Sequence, residues 1–380
     1  MQVRQIVIAK PQELAAGLET LRGMAADLLL VFAAVDYFRQ ADFTDRLRAA
    51  APTARLFGCS TAGEISPEGV TDGSCVISAI RFERSRLIDA STGLASMEDS
   101  RAAGQRLGEQ LQGADLRAVL VLGTGVQING SALVEGMVEV LGEAIPITGG
   151  LGGDGGAFKQ TWTLGRDGVT SDRVVAIGLG GDDLVFGHGS FGGWEPFGPA
   201  RKITRCTGNV LHELDGQPAL DVYKRYLGDH ASGLPASGLL FPFSMLGADH
   251  SAVGLIRTIL GIDEASGSLI LAGEIFQDGY LKLMHATTDK LVGGAEAAAE
   301  AAVAMQDVPG DSLAILISCI GRKLVMGARV DEEVEAVADV LGKQAALCGF
   351  YSYGEISPFA PGASCKLHNQ TMTITHIGER

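Results

Sequence analysis

The side chains with most chemistry within reach of one another stand in a short run near the C-terminal end, Tyr351, Ser352, Tyr353, Gly354 and Glu355. Strand alternation would set Tyr351, Tyr353 and Glu355 on one face, where two phenols and a carboxylate can line a polar-edged pocket. A buried tyrosine cluster capped by a glutamate is the other reading of the same residues, and both stay open. His368 follows in the segment 365–375 (CKLHNQTMTIT) with Asn369 beside it, and His250 sits in a loop (GADHS) before the run that carries Arg257. We expect His368, Asn369, His250 and Arg257 to share a cavity with the tyrosines. Arg257 with Glu355 would suit a zwitterion, and Arg257 alone a carboxylate.

Other chemistries find weaker support. Cys59 and Ser60 stand at a strand-to-loop turn, but the sequence there is GCSTAG and lacks the G-x-S-x-G of a nucleophile elbow. A hydrolase using either residue remains a minority alternative. The glycine-rich segment 149–156 (GGLGGDGG) lacks the order of a P-loop and its lysine, so a structural turn is expected. The GGDD of 180–183 reads as a turn as well. Seven histidines show no H-E-x-x-H or paired spacing, which argues against a structural zinc. One axial histidine to haem iron would leave no spacing signature at all.

The elements that must position these residues repeat. LFGCSTAGEISP at 56–67 and LCGFYSYGEISP at 347–358 agree at seven of twelve positions without a gap. Each is preceded about 30 residues earlier by a continuous apolar run, 28–33 and 313–318, of buried-strand character. A weaker copy lies between them: strand 118–123, helix 131–142, strand 146–154 and strand 173–180. The unit is strand, helix, strand with a glycine-rich exit, then a hairpin strand. Alternation of this kind predicts an α/β fold with mixed sheets flanked by helices. The segment 187–199 (GHGSFGGWEPFGP) reads as a connection, placing two domains at 1–200 and 201–380. Helices are expected over 215–228 and 289–305, with a turn at 261–268 between two strands.

Composition narrows the partners. A formal charge of −15 over 380 residues opposes the phosphate backbone of nucleic acid. The start of the chain lacks a signal-like apolar core and no run approaches the ~20 residues of a membrane span, so a cytoplasmic protein is expected. Six cysteines without a C-x-x-C pair read as reduced core residues.

Taken in order, GCSTAGEI, GGWEPFGP, DGQPALDVYKRYLG, SCIGRKLVMGARVDEEVEAV, GFYSYGEISP and LHNQTMTIT resemble the bacterial FIST family, N-terminal then C-terminal domain, from about Asp27 onward. The resemblance implies a sensory protein that binds a small ligand and is not an enzyme. With no fused output segment, it implies a separate partner such as a histidine kinase or a cyclic-di-GMP enzyme, and allows a homodimer. Some family members are similar to haem-based nitric oxide sensors, which would make haem the cofactor, with His368 or His250 on the iron and Tyr351, Tyr353, Glu355, Arg257 and Asn369 around it. An amino-acid or small-metabolite sensor without haem is the alternative.

Overall fold

A computed structural model describes residues 1–113, 115–305, 310–360 and 362–380. The repeated unit is present three times, and each copy starts one strand and one helix earlier than the sequence echo reveals. The first comprises β1 (Gln2–Ile8), α1 (Leu14–Glu19), β2 (Leu28–Ala33), α2 (Phe43–Ala50), β3 (Arg55–Ser60), a hairpin of β4 (Glu64–Ser66) and β5 (Gly69–Thr71), and β6 (Cys75–Arg81). The second comprises β7 (Arg86–Gly93), α3 (Ser100–Leu111), β8 (Leu116–Gly123), α4 (Gly130–Leu141), β9 (Ile147–Leu151), the hairpin β10 (Thr163–Gly165) and β11 (Gly168–Thr170), and β12 (Arg173–Gly180).

The third opens with β13 (Leu184–Phe191) and is then interrupted by a separate antiparallel sheet. That sheet holds β14 (Arg201–Thr207), β15 (Val210–Leu214), helix α5 (Ala219–Leu227), β16 (Phe243–Leu246), β17 (Ala252–Arg257), β18 (Ile259–Asp263), β19 (Ser268–Leu271) and β20 (Tyr280–His285). The repeat resumes with α6 (Thr288–Met305), β21 (Ser312–Cys319), α7 (Ile320–Met326), α8 (Asp331–Leu341), β22 (Ala345–Ser352), the hairpin β23 (Gly354–Pro358) and β24 (Cys365–His368), and β25 (Met372–Glu379).

Each repeat gives its hairpin to another repeat's sheet. The sheet orders are β1-β6-β2-β3-β10-β11, β24-β23-β9-β8-β12-β7 and β13-β25-β21-β22-β4-β5, so the exchange closes on itself. Strands from both sides of residue 200 therefore share sheets. The registers agree: Leu164 lies opposite Gly58, Ile65 opposite Gly349, and Ile356 opposite Gly149. Those three glycines are required by the close approach of the parallel neighbour. A Cβ on Gly58, Gly149 or Gly349 would stand 2.0, 1.8 or 1.8 Å from the carbonyl oxygen of Val31, Val121 or Leu316.

Inner faces of all three sheets meet in one core that includes Phe32, Leu122, Ile317 and Phe350. The rings of Phe32 and Phe350 lie 4.7 Å apart at its centre. The helices cover the outer faces, α3 and α4 with the apolar stripes expected of them. The inserted sheet has its own core, with Tyr223 of α5 and Phe243 within it.

One expected connection is a strand. Residues 187–191 belong to β13, paired with β25 over its full length. Gly187 and Gly189, which made the segment look like a loop, are there because α6 packs onto the strand: a Cβ on either would come within 2.2 Å of Ala302 or Ala298 carbonyl oxygen. Among the described residues no helix is long and apolar enough to cross a membrane.

Candidate functional site

In each repeat two strands run parallel, β2 with β3, β8 with β9 and β21 with β22. Their carboxyl ends are the place where α/β sheets hold ligands. At the first exit a cleft of about 560 Å³ is lined by Asp36, Thr61 and Glu64, by Asp72 at the hairpin end, by Asp154, and by Ile320, Lys323 and Leu324 of α7. The Lys323 ammonium donates to the Ala62 carbonyl at 3.0 Å, pairs with Asp72, and lies 5.3 Å from the centre of the Tyr351 ring.

A larger cleft, about 710 Å³, lies beside it between the inserted sheet and the core. It shares Gly155, Ile320 and Leu324 with the first. Among the described residues its wall carries no charged side chain: Val126, Ile128, Phe158, Leu234, Leu239 and Ile259 are typical of it. Four large apolar side chains at its edge face solvent, Leu324 (52% exposed), Leu260 (47%), Met97 (46%) and Phe158 (41%). Exposed apolar groups gathered at one concavity mark a binding surface more reliably than the same groups scattered.

The loop 154–160 forms the wall between the clefts. Asp154 accepts from the backbone N–H groups of Phe158, Lys159 and Gln160 at 2.8, 2.7 and 3.0 Å. Tyr353 donates its phenol to the Asp154 carboxylate and accepts from the Gly156 N–H at 2.9 Å. Burial pushes the Asp154 carboxyl up, but the bonds from Tyr353 and the backbone outweigh it and hold the group below the usual range. Phe158 lies flat on Tyr353, rings 4.1 Å apart, with a left-handed φ of 52°.

Tyr351, Tyr353 and Glu355 find three separate sets of partners. The strand breaks at Tyr353, so alternation does not carry across it. Tyr351 is buried and donates to Glu333, which pairs with the buried Arg322 at 2.7 Å. Glu355 accepts from Ser352 Oγ at 2.5 Å and from the N–H and hydroxyl of Thr371 at 3.2 and 3.0 Å. Burial raises its carboxyl to about 8 against those bonds. Arg257 is distant from this set in its bonding: it donates to the carbonyls of Glu274 and Ile256, at 2.9 and 3.2 Å.

His368 stands opposite Glu355 in the β23–β24 ladder, with Nε2 bonded to the Ser357 carbonyl at 2.9 Å. Burial lowers its pKa to about 4, and the Arg257 charge works in the same direction. Asn369 follows, its Oδ1 buried without a partner. His250 is exposed on a left-handed turn (φ 63°), its ring against Tyr280. Neither His368 nor His250 is among the residues lining the two clefts, which present no histidine or cysteine. As placed in this structure these residues do not fit a haem held in either cleft: His368 is buried within its ladder and lines neither of them, and His250 faces solvent. Among the described residues no cluster of three or more His, Cys, Asp or Glu is arranged to hold a metal.

The Ser60 hydroxyl donates to Gly153 carbonyl at 2.7 Å and accepts from Trp162 N–H at 2.9 Å, and burial raises the Cys59 thiol well above its ordinary pKa. Sequence reasoning missed Lys323, Leu324 and Asp154. Only Asp154 gave a signal, an acid within a glycine run that reads as a turn.

A search of curated proteins finds a segment of 96 residues, 24% of this chain, that is 38% identical to the uncharacterized protein MJ1623 of Methanocaldococcus jannaschii; it covers 17% of that protein's length. Among solved structures, a cyanuric acid hydrolase of A. caulinodans is similar over 100% of this chain and 99% of its own, at 12% identity and a TM-score of 0.41, a distant likeness. The family model of the FIST N domain matches residues 27–217 and that of the FIST C domain matches 219–358. With both in order over most of its length, the chain belongs to the FIST family of ligand-binding sensory domains used in signal transduction.

Proposed function

We propose that this protein senses an amphipathic small molecule held in the composite cleft and reports its occupancy to a separate signalling partner, such as a histidine kinase or a cyclic-di-GMP enzyme, in the cytoplasm. The observation that carries this reading is the adjacency of an uncharged apolar cleft and a polar one, which share Gly155, Ile320 and Leu324. An apolar body would bury surface at roughly 25 cal/mol per Å² in the first while its head is hydrogen-bonded in the second. Four acidic residues, Asp36, Glu64, Asp72 and Asp154, line the polar cleft with one lysine. That field favours a neutral or cationic head over a carboxylate and weighs against haem, with its two propionates.

A binding rather than a catalytic role is supported by the backbone bonds that occupy Ser60 and by the burial of Cys59. The nitric oxide reading is tested by an absorbance spectrum after haem addition: a saturable Soret band lost in His250→Ala or His368→Ala would overturn the amphipathic ligand in favour of haem.

The direct test is a thermal-shift screen of haem, amino acids and amphipathic amines against the wild type and Leu324→Asp. Leu324 is half exposed, so the fold should tolerate the change. An amphipathic compound that raises the melting temperature of the wild type and leaves the variant unmoved is expected. Equal shifts in both would place the ligand elsewhere.

A further inference from the structure

The exit of the second repeat forms its own cleft, about 450 Å³, and nothing in the proposed function uses it. It is the counterpart of the polar cleft of the first repeat. Gly123 pairs with Leu151 as Ala33 pairs with Ser60, so Thr124 stands where Ala34 stands. Thr163 pairs with Thr170 as Glu64 pairs with Thr71, so Ser171 and Asp172 stand where Asp72 and Gly73 stand. The third exit is closed by the inserted sheet, with Gln370 Nε2 bonded to the Leu239 carbonyl at 3.0 Å.

Two observations besides concavity point to an occupant. Thr124 lines this cleft, and among the described residues no hydrogen bond reaches its hydroxyl, which leaves that group free to bond an occupant. Gln127, also in the wall, holds a left-handed φ of 58°, a strained conformation for a residue with a side chain and one that collects at ligand clamps.

The lining chemistry differs from that of the first cleft. Ser96, Thr124, Gln127, Gln160, Thr161 and Ser171 offer hydroxyls and amides, and the two charged groups, Lys159 and Asp172, are exposed and opposite in sign. Such a wall exerts little net field and matches neutral groups that both donate and accept.

We propose that this cleft is a second binding site, for a small uncharged polyol. The loop 154–160 separates it from the first cleft, contributing Asp154 and Gly155 to one and Lys159 and Gln160 to the other. Val126 and Gln127 are shared with the apolar cleft.

The test is saturation-transfer NMR on the full chain with glycerol, myo-inositol and D-glucose, with acetate and methylammonium as charged controls. Transfer to at least one polyol and to neither control is expected for the wild type and for Thr124→Ser, with affinity reduced on the order of tenfold in the isosteric Thr124→Val, the fold-change of one lost hydrogen bond. Leu324→Asp, which disables the first cleft, should keep the polyol signal, so the two readings fail separately. No transfer to any polyol, stronger transfer to a charged control, or equal transfer in Thr124→Val with an unchanged melting curve would each overturn the proposal.

Discussion

Glu64 and Glu355 are the same residue twice: each leads a hairpin given to another repeat, and each is held by three bonds from equivalent neighbours. Glu64 is held by Thr61, three residues before it, and by the N–H and hydroxyl of Ser74 at 2.8 and 2.9 Å. Glu355 is held by Ser352, three residues before it, and by both groups of Thr371. The clamp ties the start of the hairpin to the residue that precedes the last strand of its repeat. In the second repeat Thr163 takes the place and bonds the Arg173 carbonyl at 3.0 Å.

These clamps make stability depend on pH. Burial lifts Glu64 from 4.5 to about 7 and Glu355 to about 8, with the clamp bonds opposing. A carboxyl whose folded pKa is raised binds its proton more tightly when folded. Its contribution is therefore complete below about 4.5 and is lost as pH rises through 7 to 8. Thermal melts should show stability falling between pH 5 and pH 9, by about 3 kcal/mol for Glu64 and about 4 kcal/mol for Glu355. Glu64→Gln and Glu355→Gln should each flatten the curve over that window. A melting temperature indifferent to pH from 5 to 9 in the wild type would refute the assignment.

Tyr353 should control the mobility of the wall between the clefts. Tyr353→Phe keeps the stacking with Phe158 but deprives Asp154 of a donor and the Gly156 N–H of its acceptor. The expected loss is about 1–2 kcal/mol of stability, with hydrogen exchange quickened at 156–160 and unchanged in the central core. Exchange mass spectrometry reads this directly. Uniform acceleration across the chain would mean that the phenol supports the fold as a whole instead of this loop.

How far the sequence reveals all this varies by element. The echo at 56–67 and 347–358 is legible because two constraints coincide there: a glycine facing a neighbouring carbonyl oxygen, and a glutamate that must be clamped. The exchange of hairpins is not legible, because the partner of Glu64 is Phe350, far along the chain, and alternation within β4 is indifferent to whose edge it joins. Tyr351 and Tyr353 are legible as consequential residues but not in their roles, since a one-residue break between β22 and β23 sends the phenols to different neighbours. His368 attracts notice as a polar group in an apolar run, and its partner turns out to be a backbone carbonyl across the ladder. The apolar cleft is assembled from 125–128, 155–158, 233–239 and 320–324, segments that no local pattern connects.

The placement of α7, which carries Lys323 and Leu324 into the cleft, rests on a buried ion pair. Arg322 and Glu333 are both fully buried. Arg322 donates to Glu333 at 2.7 Å, to the Leu291 carbonyl of α6 at 2.9 Å and to the Gly192 carbonyl, while Glu333 accepts from Tyr351 and, at 2.9 Å, from Ser318. Removing one member strands the other's charge without water or a counterion, which typically costs about 3–5 kcal/mol. Arg322→Met should therefore destabilise strongly and Tyr351→Phe by only about 1–2 kcal/mol, because the arginine still holds the glutamate. The double change Arg322→Met with Glu333→Leu should recover part of the loss, since it leaves no charge behind. Chemical denaturation of the three variants measures all of these differences. If the double variant proves less stable than Arg322→Met alone, a stranded charge is not what makes the single change costly, and Glu333 must hold α7 through its bonds to Tyr351 and Ser318 instead.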